Sequence, residues 1–224
     1  MSEEGSCDIS NPEKNKNIRC ATIDDIEALI EICRTIFPNY LIWCNNRCAR
    51  KWWEYIIKSK SHETWVYQFN NEIVALIRFV IDANLYKKEI RNLRPGFGIL
   101  LCVFIMRPRL LFEKILEKIT RVTSSSVNYS NSSDPNSLAN KSMWFHSVAV
   151  MPNMRGKGIG SGMIRFCEQR AVELGYDSIK FFIKTNNNGS IRLHERLGFI
   201  RTGKIKDCYS YIKLLSKNHR VDSL

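Results

Sequence analysis

Residues 145–161 read Phe145-His146-Ser147-Val148-Ala149-Val150-Met151-Pro152-Asn153-Met154-Arg155-Gly156-Lys157-Gly158-Ile159-Gly160-Ser161, and the fold follows from how this stretch divides. The apolar run ending at Val150 predicts a strand over 143–150. Met151-Pro152-Asn153-Met154 is a turn. Three alternating glycines then open a helix whose apolar face is Ile159, Met163, Phe166, Cys167, Ala171 and Leu174, with Gly175 placed to end it. A strand leading through glycines into a helix aims several free N–H groups and the positive helix end at one point, which makes an anion site. Glycine lets the backbone approach an anion closely and permits positive φ, and Arg155 and Lys157 add full charges. No G-K-[ST] follows four spacers, and no Gly-x-Gly-x-x-Gly with a distal ribose acid occurs, so neither a Walker loop nor a dinucleotide fingerprint is present. Taken alone, the turn also reads as a plain helix start.

Working outward, 178–183 predicts a buried strand. A short helix over 190–197 ends at Gly198, and strands follow over 199–206 and 208–214. On the other side, residues 1–17 are polar and 18–21 form a short strand. Thr22-Ile23-Asp24-Asp25 resembles a capping box, after which Ile26, Leu29, Ile30, Cys33, Ile36 and Phe37 recur at helical spacing until Pro38. A second helix over 47–58 carries Trp52, Trp53, Ile56 and Ile57. Strands over 63–69 and 72–81 form a hairpin through Asn70-Asn71. The order is mixed α/β without an internal repeat.

Residues 82–141 break this pattern. Arg94-Pro95-Gly96 precedes an apolar run over 97–106, and Pro108 opens a basic amphipathic segment, 109–121, with Leu111, Ile115 and Ile119 on one side. A Ser/Asn-rich tract over 123–140 follows. Three readings are open: a helical insertion on the core, a flap over substrate, or a peripheral membrane contact through 97–121. The apolar run is about ten residues, short of the roughly 18 that span a bilayer.

At 224 residues, with 44% hydrophobic and 25% charged residues, the chain is a globular domain rather than a disordered chain, a collagen or a coiled coil. Its net charge of +12 is unevenly spread. Residues 1–70 hold nine Lys/Arg against ten Asp/Glu, residues 71–140 ten against six, and residues 141–224 fifteen against six. The basic C-terminal third points to an anionic ligand: nucleic acid, anionic lipid or a phosphate-bearing cofactor. The eight cysteines include no C-x-x-C pair, so reduced thiols are expected in place of disulfides or zinc ligands, and no metal site. The first 30 residues lack a hydrophobic leader, so the expected location is cytoplasmic.

The run from Phe145 to Gly160 resembles the acetyl-CoA motif of the GNAT superfamily of N-acetyltransferases. A second block at the matching distance, Asn187-Asn188-Gly189-Ser190-Ile191-Arg192-Leu193-His194-Glu195-Arg196-Leu197-Gly198-Phe199, fits the same family, as does the opening Ile18-Arg19-Cys20-Ala21-Thr22 with Asp24-Asp25. The resemblance covers roughly 18–81 and 141–214. It implies an α/β fold (α+β by some schemes): a GNAT-like mixed, mostly antiparallel sheet flanked by helices. One acyltransferase domain would span 18–214, with a helical insertion, 82–141, between the third and fourth strands and tails at 1–17 and 215–224. It implies an acyl-CoA-dependent N-acetyltransferase with acetyl-CoA as cosubstrate, no metal, and a small-molecule amine as acceptor. The insertion resembles that of members linked to amino-sugar biosynthesis, which makes an amino sugar the preferred acceptor.

Carried over by position, Val148, Ala149 and Val150 would hold the pantetheine arm through backbone groups. Arg155, Gly156, Lys157, Gly158, Ile159, Gly160 and Ser161 would bind the pyrophosphate. Asn187 would contact pantetheine or serve as a turn residue. Strands parting near Val150 and Ile183 would make the thioester slot. Two positions depart from the family pattern. His194 stands where many members place an acidic tyrosine, although phosphinothricin-type members also read Leu-His-Glu; as imidazolium it would protonate the leaving thiolate, and otherwise it packs. Trp144 stands where the usual glutamate falls. His146, on the same face by the period of two, is the expected base, a position where arylalkylamine-type members also carry histidine; the alternative is a histidine bonded within the sheet. Three other classes remain: a GNAT fold binding CoA without turnover, an acyltransferase at a membrane surface, and a nucleic-acid binder. The last lacks a groove-reading motif or stacking platform, so no specific nucleic-acid partner is expected. The oligomeric state does not follow from the sequence.

Overall fold

The computed structural model describes residues 17–38, 40–92 and 141–215. The two tails, apart from their innermost residues, and residues 93–140 of the insertion lie outside these, and with them the 97–121 segment read as a membrane contact. In chain order the elements are β1 (Ile18–Cys20), α1 (Ile26–Ile36), α2 (Asn46–Lys58), β2 (His62–Phe69), β3 (Glu72–Val80), α3 (Ala83–Asn92), β4 (Ser142–Val150), α4 (Ile159–Glu173), β5 (Ser178–Lys184), α5 (Asn188–Arg196), β6 (Ile200–Ile205) and β7 (Cys208–Leu214). The seven strands form one sheet in the order β1-β2-β3-β4-β5-β7-β6. Every neighbouring pair is antiparallel except β4 with β5. This is the mixed, mostly antiparallel sheet flanked by helices that the resemblance implies, with α3 and the remaining insertion between the third and fourth strands.

Each sheet face is covered by helices whose apolar spacing anticipated it. On one face, Ile26, Leu29, Ile30, Ile32 and Cys33 of α1 and Ala49, Trp53 and Ile56 of α2 close over Val66, Leu76 and Ala149. On the other, Met163, Ile164, Cys167 and Ala171 of α4 meet Ala75, Ile77, Phe79, Met143, Phe145, Ile179 and Phe181. Strand β3 is buried on both faces from Val74 to Val80, which is why its sequence is nearly unbroken in apolar character. Each Leu or Ile fully buried here contributes about 2 kcal/mol.

Local chemistry sets the element ends. Asp25 reaches back to the Thr22 N–H at 2.7 Å and is held by Arg19 at 2.7 and 2.8 Å, tying the start of α1 to β1. Asn70 and Asn71 both adopt positive φ, 48° and 67°, as a two-residue hairpin turn requires. Asp82 opens α3, its Oδ1 accepting from the N–H groups of Asn84 and Leu85 at 2.9 Å each.

Candidate active site

Strands β4 and β5 pair only from Ser142 to Trp144 and from Ser178 to Lys180, although β4 continues to Val150 and β5 to Lys184. Among the described residues, the facing edges of 145–150 and 181–184 are therefore not paired with each other. The expected parting near Val150 and Ile183 needs correction: it begins several residues earlier, directly after Trp144 and Lys180. The cause is lateral. β3 holds β4 as far as the Ala75–Val150 pair, and β7 holds β5 along its whole length. The His194 ring from α5 packs against both Phe145 and Phe181, 5.8 and 4.5 Å between centroids, while the two phenylalanine rings meet each other at 5.2 Å.

The glycine turn stands at the wide end of this split. Pro152–Met154 makes a short 3-10 turn, its Met154 side chain buried. Gly156 and Gly158 then take φ of 78° and 79°, a conformation that penalises any Cβ. The first i to i−4 bond of α4 runs from the Gly162 N–H to the Gly158 carbonyl at 2.9 Å, so the N–H groups of Gly158, Ile159, Gly160 and Ser161 are the open donors of the helix start. Buried Ile159 anchors that end. A Cβ at Gly160 would lie 3.6 Å from both Leu193 and Val150, in ordinary contact with α5 and β4. Arg155 donates from Nε to the Val150 carbonyl at 3.2 Å. Lys157 lies over the Phe69 ring at 5.9 Å and near the Met154 sulfur at 3.6 Å. Both cations therefore stand beside the helix end, and backbone from Val148 to Val150 lines the β4 edge. The Asn187 side chain caps α5, accepting from the Ser190 N–H at 3.1 Å.

His194 does not have the setting an acid requires. It is 1% exposed, and burial lowers its pKa, so it is neutral near pH 7. Its Nδ1–H donates to the Ser190 carbonyl at 2.7 Å, and Nε2 is buried without a partner among the described residues. Phe145, Phe181 and Phe199 enclose the ring. The placement suits shaping the base of the split rather than handing a proton to a thiolate.

His146 occupies a β-bulge. Arg78 pairs with Ser147 and Phe79 with Phe145, so His146 is the inserted residue, and the period of two that placed it beside Trp144 is interrupted there. Arg78 donates from Nη2 to His146 Nδ1 at 3.0 Å. A guanidinium only donates, so Nε2 carries the proton, directed at the Tyr86 oxygen 3.2 Å away. Although the outer side of His146 is open to solvent, packing of its inner side and then the Arg78 charge hold its pKa down to about 3. As a base, therefore, His146 is suppressed: its lone pair is already engaged.

Around it stand residues that the sequence reading did not single out. His62 is buried, its pKa pushed down to about 4 by burial and then Arg78, with Glu89 opposing. Its Nδ1 lies 2.9 Å from Ser61 Oγ and 3.1 Å from Ser59 Oγ, and both hydroxyls donate to Glu89 Oε2. Arg78 itself is 8% exposed and stacks on Trp52 at 4.8 Å. The available signal was a lone charge in the run Ile73-Val74-Ala75-Leu76-Ile77-Arg78-Phe79-Val80. Among the described residues, no group of three or more His, Cys, Asp or Glu could hold a metal ion. Among the same residues, no helix is long and apolar enough to cross a membrane.

Residues 122–199 match the model of the acetyltransferase (GNAT) family. An L-methionine sulfoximine/L-methionine sulfone acetyltransferase of Pseudomonas aeruginosa is 38% identical over 60 residues, 27% of this chain and 35% of that protein. An uncharacterized N-acetyltransferase, YokL, of Bacillus subtilis is 38% identical over 60 residues, 26% of this chain and 34% of that protein. The chain thus spans about a third of the length of the curated relatives it matches. Among solved structures, the PaiA N-acetyltransferase of Thermoplasma acidophilum in complex with coenzyme A superposes with a TM-score of 0.57 at 12% identity, covering 88% of this chain and 97% of that one. The spermidine/spermine N-acetyltransferase SpeG of Vibrio cholerae superposes at 0.53 and 12% identity, covering 92% and 98%. With the split strands, the glycine turn and the short helix following one another in the chain, residues 122–199 are similar to the GNAT family of acetyltransferases, and the described residues share the fold of the N-acetyltransferases that superpose on them.

Proposed function

We propose that the protein transfers an acetyl group from acetyl-CoA to the primary amine of a small molecule. One observation carries this reading: an unpaired strand edge and a glycine-rich helix start, flanked by Arg155 and Lys157, meet at one end of the same split. The residues suit the ligand. A pyrophosphate takes the open N–H groups from Gly158 to Ser161, with Gly156 and Gly158 keeping side chains away from it. The extended pantetheine arm takes the β4 edge over Val148, Ala149 and Val150, like an added strand. Bound there, acetyl-CoA supplies a thioester already activated toward amines.

The chain's own contribution is then mainly binding and orientation. The buried rings of Phe145, Phe181 and His194 close the base of the split against water, and Asn187 fixes the start of α5. His146, at the bulge, faces the side from which an amine would approach. Its Nε2–H orients polar groups there, and it accepts a proton only when Arg78 releases Nδ1. The acceptor belongs to the small primary amines, the class of which the amino sugar suggested by the insertion is a member.

A second reading, a CoA-binding module without turnover, is favoured by the same two histidines, because neither offers an available acid or base. A thiol-release assay with acetyl-CoA across amino sugars, amino acids and polyamines separates the two. Release with any acceptor excludes the module, and absence of CoA binding would overturn both.

A further inference from the structure

Arg78 is a cation with too few partners. It sits in the middle of β3, with Thr64 of β2 on one side and Ser147 of β4 on the other. Its side chain is more than nine-tenths buried. Of its five N–H donors, one meets His146, while Nε and Nη1 are buried with no acceptor among the described residues. The Trp52 ring covers one face. Its titratable neighbours Cys33, Tyr40 and Tyr86 come from three different segments, and among these described residues none is a carboxylate. Glu89, the nearby carboxylate, is instead taken up by Ser59 and Ser61. Burial draws the guanidinium pKa down only to about 10, so the charge persists at neutral pH. Burying a charge without a counter-ion costs several kcal/mol, and an unsatisfied buried donor needs a reason for being there.

The place of this charge supplies the reason. Arg78 lies directly behind His146, and His146 is two residues beyond the last β4–β5 pair, about 7 Å along a strand. The guanidinium and the split are therefore within the span of one small molecule. We propose that Arg78 binds a carboxylate carried by the acceptor, so that the acceptor is an amino acid or related aminocarboxylate. The carboxylate replaces His146 Nδ1 as the partner of Nη2 and reaches the open Nη1 donor, the planar fork suiting two parallel bonds. His146 and Tyr86 form the outer wall through which it passes. The amine-transfer half of this assignment rests on the acetyltransferase reading; the carboxylate site rests on Arg78 alone.

The test is made on the full chain labelled with 15N at histidine. Glycine, β-alanine and L-glutamate are titrated in while the His146 ring nitrogens are followed, and each titration is repeated with the corresponding methyl esters, which keep the amine and lose the anion. At least one free acid should bind tenfold or more tighter than its ester, matching the span of charge-assisted hydrogen bonds, and should shift the His146 signal. Arg78→Gln should abolish that preference, and Arg78→Lys, which keeps the charge and loses the fork, should retain part of it. Acids and esters binding alike, no member of the set binding, or an Arg78→Gln protein that keeps the preference would each overturn the assignment. The wild-type comparison stands even where a variant fails to fold. Calorimetry with CoA reports separately on the acetyltransferase reading, since a protein that discriminates acid from ester without binding CoA would sink that reading and leave the Arg78 site standing.

Discussion

Arg78 and His146 face each other across the β3–β4 ladder, and the positive charge of one opposes protonation of the other. The His146 pKa of about 3 has burial as its larger cause and Arg78 as the next. Arg78→Met removes the second and leaves the first, so the His146 pKa should rise but stay below the ordinary histidine value near 6.5. An NMR pH titration of the ring reads this directly; an unmoved His146 would mean that burial alone suppresses it. His194 calls for a different substitution. Phenylalanine preserves most of the ring volume, loses the Ser190 bond and removes the buried unpartnered Nε2. The two polar effects oppose each other at about 1 kcal/mol apiece. His194→Phe should therefore melt within a few degrees of wild type and, if the ring only packs, release thiol at a rate within about threefold. A general acid contributes 100-fold or more, so a loss of that size in a folded variant would restore the proton-donor role.

At the scale of elements, the glycine turn separates conformational from steric demands. A Cβ at Gly156 would meet nothing within 4 Å, yet its φ is +78°, so Gly156→Ala should cost about 1 kcal/mol through backbone strain alone. Gly160 is helical, and its Cβ would make ordinary contacts at 3.6 Å. Gly160→Ala should leave stability unchanged or raise it by up to about 1 kcal/mol. Thermal unfolding of the two variants should thus move in opposite directions. At the other end of the sheet, the Arg19 pair, followed by the Thr22 N–H bond, outweighs burial and holds the Asp25 pKa below its usual value. A depressed pKa contributes stability above the unfolded value near 4 that is lost as pH falls through the folded one. Asp25→Asn should destabilise by about 2 kcal/mol at pH 7 and narrow its deficit toward pH 3, read as urea midpoints across pH. These elements were legible in the sequence because their causes are local: a capping box, an Asn-Asn turn, glycines before an apolar helical face. The early parting of β4 from β5, the bulge at His146 and the burial of Arg78 were not, because each depends on a neighbouring strand or on a helix distant in sequence. The motif located the glycine turn of the candidate site, while its polar side, with His62, Tyr86 and Glu89 around Arg78, came from pairings that no local window contains.

Over the whole molecule, the basic C-terminal third acquires a definite geometry. Three of its six acidic residues are spent on cations away from the turn: Glu173 on Arg170, Glu168 on Lys213 and Glu195 on Arg201. Arg155, Lys157, Lys184 and Arg192 are exposed and form no ion pair among the described residues, so the positive field is left where the split and the helix start meet. A polyanion docking there should feel that field, and added salt should weaken it, since the screening length falls from about 13 Å at 50 mM to about 4 Å at 500 mM. CoA affinity, measured by calorimetry, should drop several-fold over that range, while acetyl-pantetheine, which lacks the phosphates, should show no such dependence. Replacing both Arg155 and Lys157 by Gln should flatten the CoA dependence without melting the fold, because both side chains lie on the surface. If the double variant instead keeps the full salt dependence, the open N–H groups of Gly158 to Ser161 and the field of the remaining cations hold the phosphates. Arg155 would then matter for its 3.2 Å bond to the Val150 carbonyl, which braces the free edge of β4 against the turn.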